Sequence, residues 1–407
     1  MSKDQYGFKN DSSTEMAIFK MTNQILISLN NKESASGIFC DVSKAFDTLN
    51  HEILISKLRY YGITGIAEKL ITSYLSERSQ RVRIGSSQTV NNTSSWAPMK
   101  YGVPQGSILG PLMFTLYTND LPCIVNRNIT PVIFADDSSF IVTNNTMKVT
   151  INDIKALIDQ IQKWYNTNVL KLNYNKTAMM QFTSKRNQME KGTASDINKD
   201  IEIVDAYKFL GVILEPSMTW EKHIDSITSK VNSLTYMIRF LRPVLSTKTI
   251  KQIYSSYVHS LITYGIIFWG NSPNSKKVFI AQKRIIRIIN GISPQTSCRS
   301  AFRETGILTL YSQYILSMIM FVAKNRQLFV SNEAVHKIDT QQKVDLHVPM
   351  AKLTKLQKGV YYMGITLYNA LPTHIKDITH NTGKLKLKRF LLEKSYYTIK
   401  EYMDKEK

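Results

Sequence analysis

The chain has 407 residues, 43% of them hydrophobic, and carries 52 Lys or Arg against 31 Asp or Glu, a formal net charge of +21. This length and apolar fraction exclude a disordered chain and allow two or three domains with cores of their own. The three cysteines, Cys40, Cys123 and Cys298, form no Cys-x-x-Cys pair or Cys/His cluster, and the polar start Met1-Ser2-Lys3-Asp4-Gln5 is no signal peptide, so neither a disulfide framework, a zinc knuckle nor secretion is indicated.

Residues 14–29 carry Met16, Ile18, Phe19, Met21, Ile25, Leu26 and Leu29 at helical spacing. An apolar strand is expected over 38–42, delivering Asp41 at its end, with Cys40 as a small core residue. Residues 51–61 and 66–75 read as helices separated by Gly62-Ile63-Thr64-Gly65, and Asp47 falls where it would cap the first of them. Arg81-Val82-Arg83-Ile84 alternates as a half-buried strand does. Gly102-Val103-Pro104-Gln105-Gly106-Ser107-Ile108-Leu109-Gly110-Pro111 is a glycine-rich turn running into an apolar helix over 108–117. Pro131-Val132-Ile133 and Phe140-Ile141-Val142 flank Phe134-Ala135-Asp136-Asp137 and predict a hairpin with two carboxylates at its tip. Ile151, Ile154, Leu157, Ile158, Ile161 and Trp164 make an amphipathic stripe on the next helix. Strands interleaved with helices suggest an α+β fold, an antiparallel sheet with helices on one face. Residues 185–200 are polar and aperiodic and read as a surface loop. Helical spacing returns over 220–241 through Ile224, Ile227, Val231, Leu234, Ile238 and Leu241, and continues over 249–269 and 281–289. Helices are expected beyond 293, without a chemical motif. The longest apolar runs, around 261–269 and 315–323, are too short to span a bilayer, so no membrane partner is expected.

Charge is unevenly placed. Residues 1–150 carry 14 Lys or Arg and 12 Asp or Glu, whereas the remainder carries 38 and 19. Between Ser226 and Arg303 there are twelve basic residues and no acidic one. So long a stretch without a carboxylate points to a polyanion, bound in a sequence-independent and salt-sensitive way. The pair Asp136-Asp137 poses the opposite problem. Adjacent carboxylates repel, no Lys or Arg lies nearby in sequence, and a hard divalent cation with oxygen ligands would compensate them. Taken alone, an Asp-Asp pair is more often a turn. With Asp41 brought in from a separate strand, the three could hold two Mg²⁺, roughly 3.5–4 Å apart, for in-line phosphoryl transfer.

In this order the blocks resemble the reverse transcriptase of non-LTR (LINE-type) retrotransposons, the Jockey-like group above all. Tyr6-Gly7-Phe8-Lys9 with Ser13-Thr14-Glu15 is similar to the block that precedes the palm. Asp41-Val42-Ser43-Lys44-Ala45-Phe46-Asp47 resembles polymerase motif A, residues 102–114 motif B, and Phe134-Ala135-Asp136-Asp137 motif C. Leu172-Asn173-Tyr174-Asn175-Lys176-Thr177 resembles motif D, and Phe209-Leu210-Gly211-Val212 the primer-grip hairpin. One such block is weak evidence; five in the polymerase order are specific.

The resemblance, which runs from about residue 6 to 215, implies a right-hand polymerase fold. Residues 1–35 would be partial fingers, 36–215 the palm, 216–300 a basic helical thumb and 301–407 a helical region without an assigned role. It implies RNA-templated addition of deoxynucleotides to a primer 3′-OH with Mg²⁺, for which Mn²⁺ can stand in. The partners are then an RNA template, a DNA primer and deoxynucleoside triphosphates, inside the cell and in the nucleus at the site of target-primed synthesis. Asp41, Asp136 and Asp137 would be the catalytic carboxylates and metal ligands. Phe46 would be a steric gate against the ribose 2′-OH, or else a core aromatic. Pro104, Gln105 and Gly106 would floor the nucleotide pocket. Lys176 would protonate the leaving pyrophosphate, or else be a solvated lysine. Phe209, Leu210 and Gly211 would grip the primer, or else be core.

The chain departs from the family pattern at Lys9, where Arg is usual, and at Ser12, where His is frequent. The basic fingers and the endonuclease domain that precede the block in the family are expected to be missing, as in a truncated copy, with weak polymerase activity as a result. Two other readings remain: a catalytically dead remnant that binds nucleic acid, and an intron-maturase-like RNA-binding protein. The wording of motifs A and B favours the retrotransposon over the maturase.

Overall fold

A computed structural model describes residues 1–84, 92–144, 151–183, 201–336, 345–372, 375 and 381–405. The chain divides into two compact units, residues 1–28 with 32–205, and residues 29–31 with 206–407. The stretch 185–200 lies outside the described residues.

The first unit runs α1 (Thr14–Asn30), β1 (Ser34–Cys40), α2 (His51–Tyr60), α3 (Gly65–Leu75), the short strands β2 (Ser79–Gln80), β3 (Arg83–Ile84), β4 (Asn92–Thr93) and β5 (Ala97–Pro98), then α4 (Leu109–Tyr117), β6 (Ile129–Phe134), β7 (Asp137–Asn144), α5 (Ile151–Thr167), β8 (Ala178–Phe182) and β9 (Glu202–Ile203). Five strands form the palm sheet in the order β6-β7-β1-β8-β9. β1 is central and antiparallel to both β7 and β8; β9 runs parallel to β8.

Ile38 and Cys40 of β1 share one core with Leu54 and Leu58 of α2, Phe114 and Tyr117 of α4, and Ile154, Ile161 and Trp164 of α5. Their strand neighbours Ala35 and Phe39 are buried as well, as are Val132, Ile141, Met180 and Phe182. Successive strand side chains point to opposite faces, so β1 is covered on both faces, not on one as expected. A strand buried on both sides needs no polar alternation, which is why Ser34-Ala35-Ser36-Gly37 can extend it ahead of the expected start. A second correction concerns the cap of α2. The side chain of Asn50, not Asp47, accepts the N–H of Ile53, at 3.0 Å.

The second unit opens with the hairpin β10 (Tyr207–Phe209) and β11 (Val212–Leu214), followed by α6 (Glu221–Leu241), α7 (Thr247–Ile253), a π-helical turn at Tyr254–His259, α8 (Ser260–Thr263), α9 (Ile266–Trp269), α10 (Lys276–Asn290), α11 (Arg299–Thr305) and α12 (Leu310–Lys324). The boundary thus falls between Asp205 and Ala206, so the hairpin expected to close the palm belongs to this unit. The helical run expected over 249–269 breaks where Gly265 turns left-handed, at φ 59°. α12 packs against α8, α9 and α10 and also against the helices Val360–Asn369, Asn381–Lys394 and Ile399–Lys405. One core therefore joins the stretches 216–300 and 301–407, which the sequence reading had separated.

Among the described residues no single helix is long and apolar enough to cross a membrane. α11 and α12 meet those criteria only together, bent by 55°. Leu310, Ile315, Met318, Ile319 and Val322 of α12 are buried in this unit.

Candidate active site

β1 ends at Cys40, which pairs with Ser138 of β7, so Asp41 leaves β1 at the end where β7 begins with Asp137. Across the hairpin Phe134 pairs with Asp137, leaving Ala135 and Asp136 as a two-residue turn. Ala135 sits at φ 56°, a region that non-glycine residues enter only when their surroundings hold them there. The N-terminal segment supplies that hold. The N–H of Tyr6 donates to the carbonyl of Ile133 at 2.8 Å, and the N–H of Ile133 to the carbonyl of Asp4 at 3.0 Å. Gln5, buried at 2% exposure, accepts through Oε1 the N–H of Ala135 at 3.2 Å and that of Gly7 at 2.8 Å. A Cβ on Gly7 would come within 2.4 Å of the Ala135 nitrogen. Residue 7 is glycine because the backbone carrying Asp136 lies directly against it.

Asp41 is tied to the loop after α5. Its carbonyl accepts the N–H of Asn173 at 2.9 Å, and its carboxylate accepts Asn173 Nδ2 at 3.4 Å. The Lys176 ammonium stands 3.4 Å from Asp41 Oδ2. Burial first, then the charges of Asp136 and Asp41, push Asp137 up to about 6. Asp137 therefore feels the charges of both other carboxylates. Among the described residues, however, no three His, Cys, Asp or Glu side chains are gathered closely enough to hold a metal ion. Like charges resist being drawn into one cage without a cation. In donor chemistry the set fits a hard divalent ion: carboxylate oxygens from two strands, with a repulsion that such an ion would relieve.

The glycine-rich turn closes on the same region. The N–H of Gly102 donates to the carbonyl of Leu49, and that of Val103 to the carbonyl of Phe46, both at 2.8 Å. Gly102 is left-handed, φ 80°, and a Cβ there would lie 2.8 Å from the Cα of Asp47. Gln105 Nε2 donates to Asp47 Oδ1 at 2.8 Å, and His51 Nε2 lies 2.8 Å from the Gly102 carbonyl oxygen. Phe46 is half-buried, its ring centroid 4.9 Å from that of Phe114. Pro104 is half-buried; Gly106, at φ 80°, has open space where a side chain would be.

Residues 1–214 match the family described as reverse transcriptase (RNA-dependent DNA polymerase). The chain belongs to the reverse transcriptase family. Its similarity extends to the probable RNA-directed DNA polymerase from transposon BS of Drosophila melanogaster, 28% identical over 76% of this chain and 35% of the relative. The RNA-directed DNA polymerase from mobile element jockey of the same organism is 26% identical over 71% of this chain and 32% of the relative. These relatives agree with the Jockey-like resemblance, and the chain spans about a third of their length. Among solved structures, apo telomerase from Candida tropicalis aligns over 88% of this chain and 58% of its own, at 11% identity and a TM-score of 0.38.

In this member of the reverse transcriptase family, sequence reasoning missed three groups that position candidate site residues. Gln5 carries no local signal, because the amide it satisfies is 130 residues away. Asn173 was read as part of motif D without its bonds to Asp41. Asp47 was read as a helix cap, whereas its carboxylate takes the Gln105 amide. Phe209, Leu210 and Gly211, expected to grip the primer, sit in the second unit. Leu210 and Gly211 form the hairpin turn at φ 43° and 87°, and the Tyr264 hydroxyl donates to the Leu210 carbonyl. Phe209 is buried.

Proposed function

We propose that the chain catalyses RNA-templated addition of deoxynucleotides to a primer 3′-OH, as the polymerase part of a Jockey-like non-LTR element acting in the nucleus. The observation that carries this is the register of β1 and β7, which sets Asp41 beside the turn bearing Asp136 and Asp137. These three carboxylates would hold two Mg²⁺, which when bound stabilise the attacking and leaving oxygens of phosphoryl transfer. The rest of the work falls to the protein's own groups. Gln5 and Gly7 fix the strained turn so that the carboxylates need not reorganise during turnover. The Phe46 ring, braced on Phe114, would crowd a ribose 2′-OH and so select deoxynucleotides. Gln105, anchored on Asp47, stiffens the turn on which the nucleotide would rest. As the primer 3′-OH releases its proton to solvent and its oxygen bonds to the α-phosphorus while pyrophosphate leaves, Lys176, whose Nζ lies 3.4 Å from Asp41 Oδ2, would give the leaving oxygen a proton.

Primer extension on an RNA template tests the reading. The chain should extend with deoxynucleotides and Mg²⁺, and both Asp136→Asn and chelation should abolish extension. Binding of primer–template without any extension would instead support the binding-only remnant.

A further inference from the structure

The segment between α3 and the glycine-rich turn was expected to hold a half-buried strand. Among the described residues it forms a two-stranded arm whose apolar side chains are exposed. β2 pairs with β5 through Ser79–Pro98 and Gln80–Ala97, and β3 pairs with β4 through Arg83–Thr93 and Ile84–Asn92. The offset changes by one residue between the two pairs. Val82 exchanges hydrogen bonds with Ser94, its carbonyl accepting the Ser94 N–H and its N–H donating to Ser94 Oγ, both at 2.9 Å. Ser95 is the extra residue, a bulge of the kind that twists a ribbon.

Both faces of this arm meet solvent. Val82 is 63% exposed and Ile84 70% on one face, and Trp96 is 62% exposed on the other. Arg81 stands across from Trp96, its guanidinium 4.5 Å from the ring centroid, and Arg83 shares that face two residues on. At the root Arg78 lies over Tyr74, 5.8 Å from its centroid, and the Met99 N–H donates to the Arg78 carbonyl at 2.7 Å. The segment 78–119 contains Arg78, Arg81, Arg83 and Lys100 and no acidic residue. The arm re-enters the palm through a bridge of Tyr101 to Asn50, one residue before Gly102.

An isolated two-stranded ribbon is marginal in water, and so exposed a Trp and apolar face ask for a ligand. Arg81 and Arg83 on one strand, with Trp96 across from Arg81, offer two cations and an aromatic ring, which match phosphates and one unstacked base. A duplex keeps its bases stacked on each other and has no face to offer Trp96. An acidic protein surface would answer the arginines and leave the ring unexplained.

We propose that this arm binds single-stranded nucleic acid, namely the unpaired template approaching the site, with Arg81 and Arg83 on phosphates and a base on Trp96. Which strand it holds rests on the polymerase reading; the binding chemistry does not.

The test is fluorescence anisotropy of the full chain with a labelled oligouridylate and, separately, a blunt RNA–DNA duplex, over a range of salt. Trp96→Ala should weaken oligouridylate binding about tenfold, and Trp96→Phe should restore it to within about twofold. Arg81→Ala with Arg83→Ala should lower the log–log salt slope for the single strand by about 1.4. Duplex affinity should stay unchanged in all three variants. Because these side chains are exposed, an unchanged melting temperature will confirm that each variant is folded. Oligouridylate affinity that survives both changes, or duplex affinity that falls equally, overturns the proposal. Unchanged single-strand binding with RNA-templated extension intact sinks the arm contact alone. The stated loss in a chain that extends no primer sinks only the polymerase reading.

Discussion

Gln5 and Gly7 meet the turn that carries Asp136 through its backbone. Gln5→Leu would leave the Ala135 N–H buried without an acceptor, at a cost of about 1–3 kcal/mol. Gly7→Ala would drive a methyl into the Ala135 nitrogen, 2.4 Å away, and costs a comparable amount through overpacking. Both variants should lower kcat for extension more than they raise KM for nucleotide, because a displaced turn shifts the carboxylates and leaves the pocket floor in place. Single-nucleotide incorporation kinetics measure this. Phe46→Val should admit ribonucleotides, and competition between both nucleotide types will read it; unchanged sugar selectivity would show Phe46 to be a core aromatic packed on Phe114. At this scale Asp41, Asp136 and Asp137 stand out in the sequence because short, local motifs contain them. Gln5 does not, since what defines it is an amide from the far side of the sheet.

Helix ends and turns decide how the elements respond to their surroundings. α6 begins at a left-handed Trp220 with no side-chain cap of its own. The buried Glu215 replaces it, accepting the N–H of Glu221 at 3.0 Å and that of Lys222 at 3.3 Å. Burial alone would raise the Glu215 carboxyl, but the Thr219 hydroxyl that donates to it and these amide N–H groups hold it below the usual range. On the next turn His223 accepts the Ile213 N–H at 3.3 Å, and burial lowers it from 6.5 to about 4. Both groups bind protons more weakly folded than unfolded. Their stabilisation is present above the unfolded values and lost as pH falls. His223 alone should cost about 2 kcal/mol between pH 7.5 and pH 5. Denaturant unfolding at the two pH values, with His223→Gln flattening the difference, checks this. The arm shows the opposite limit of element reading. The alternation Arg81-Val82-Arg83-Ile84 specifies two faces, but only the surrounding fold decides whether either one is covered.

Over the whole molecule the charge is segregated, net +2 in residues 1–150 and +19 in the rest. Lys230 and Arg239 are exposed on α6, within the stretch that has no acidic residue. If this surface holds a polyanionic duplex, Lys230→Gln with Arg239→Gln should lower the log–log salt slope of duplex binding by about 1.8, roughly 0.9 for each lost phosphate contact. The same pair should leave the single-strand contact at the arm unaltered. An unchanged slope would place the duplex elsewhere.

By itself the sequence determined the family and the order of its motifs, and it singled out Asp41, Asp136 and Asp137 as candidates, because each is written within a few consecutive residues. It also determined the helices with long apolar stripes, such as α5 and α6, whose period is local. Tertiary structure alone decided that β1 is covered on both faces, that Asn50 and not Asp47 caps α2, and that the hairpin at Phe209 belongs with the helical unit. It alone brought Gln5 under the turn at Ala135 and left Trp96 in solvent. The physical reason is the same in each case. Period and propensity fix which face of an element is apolar, while a hydrogen-bond partner or a covering layer comes from chain far away in sequence.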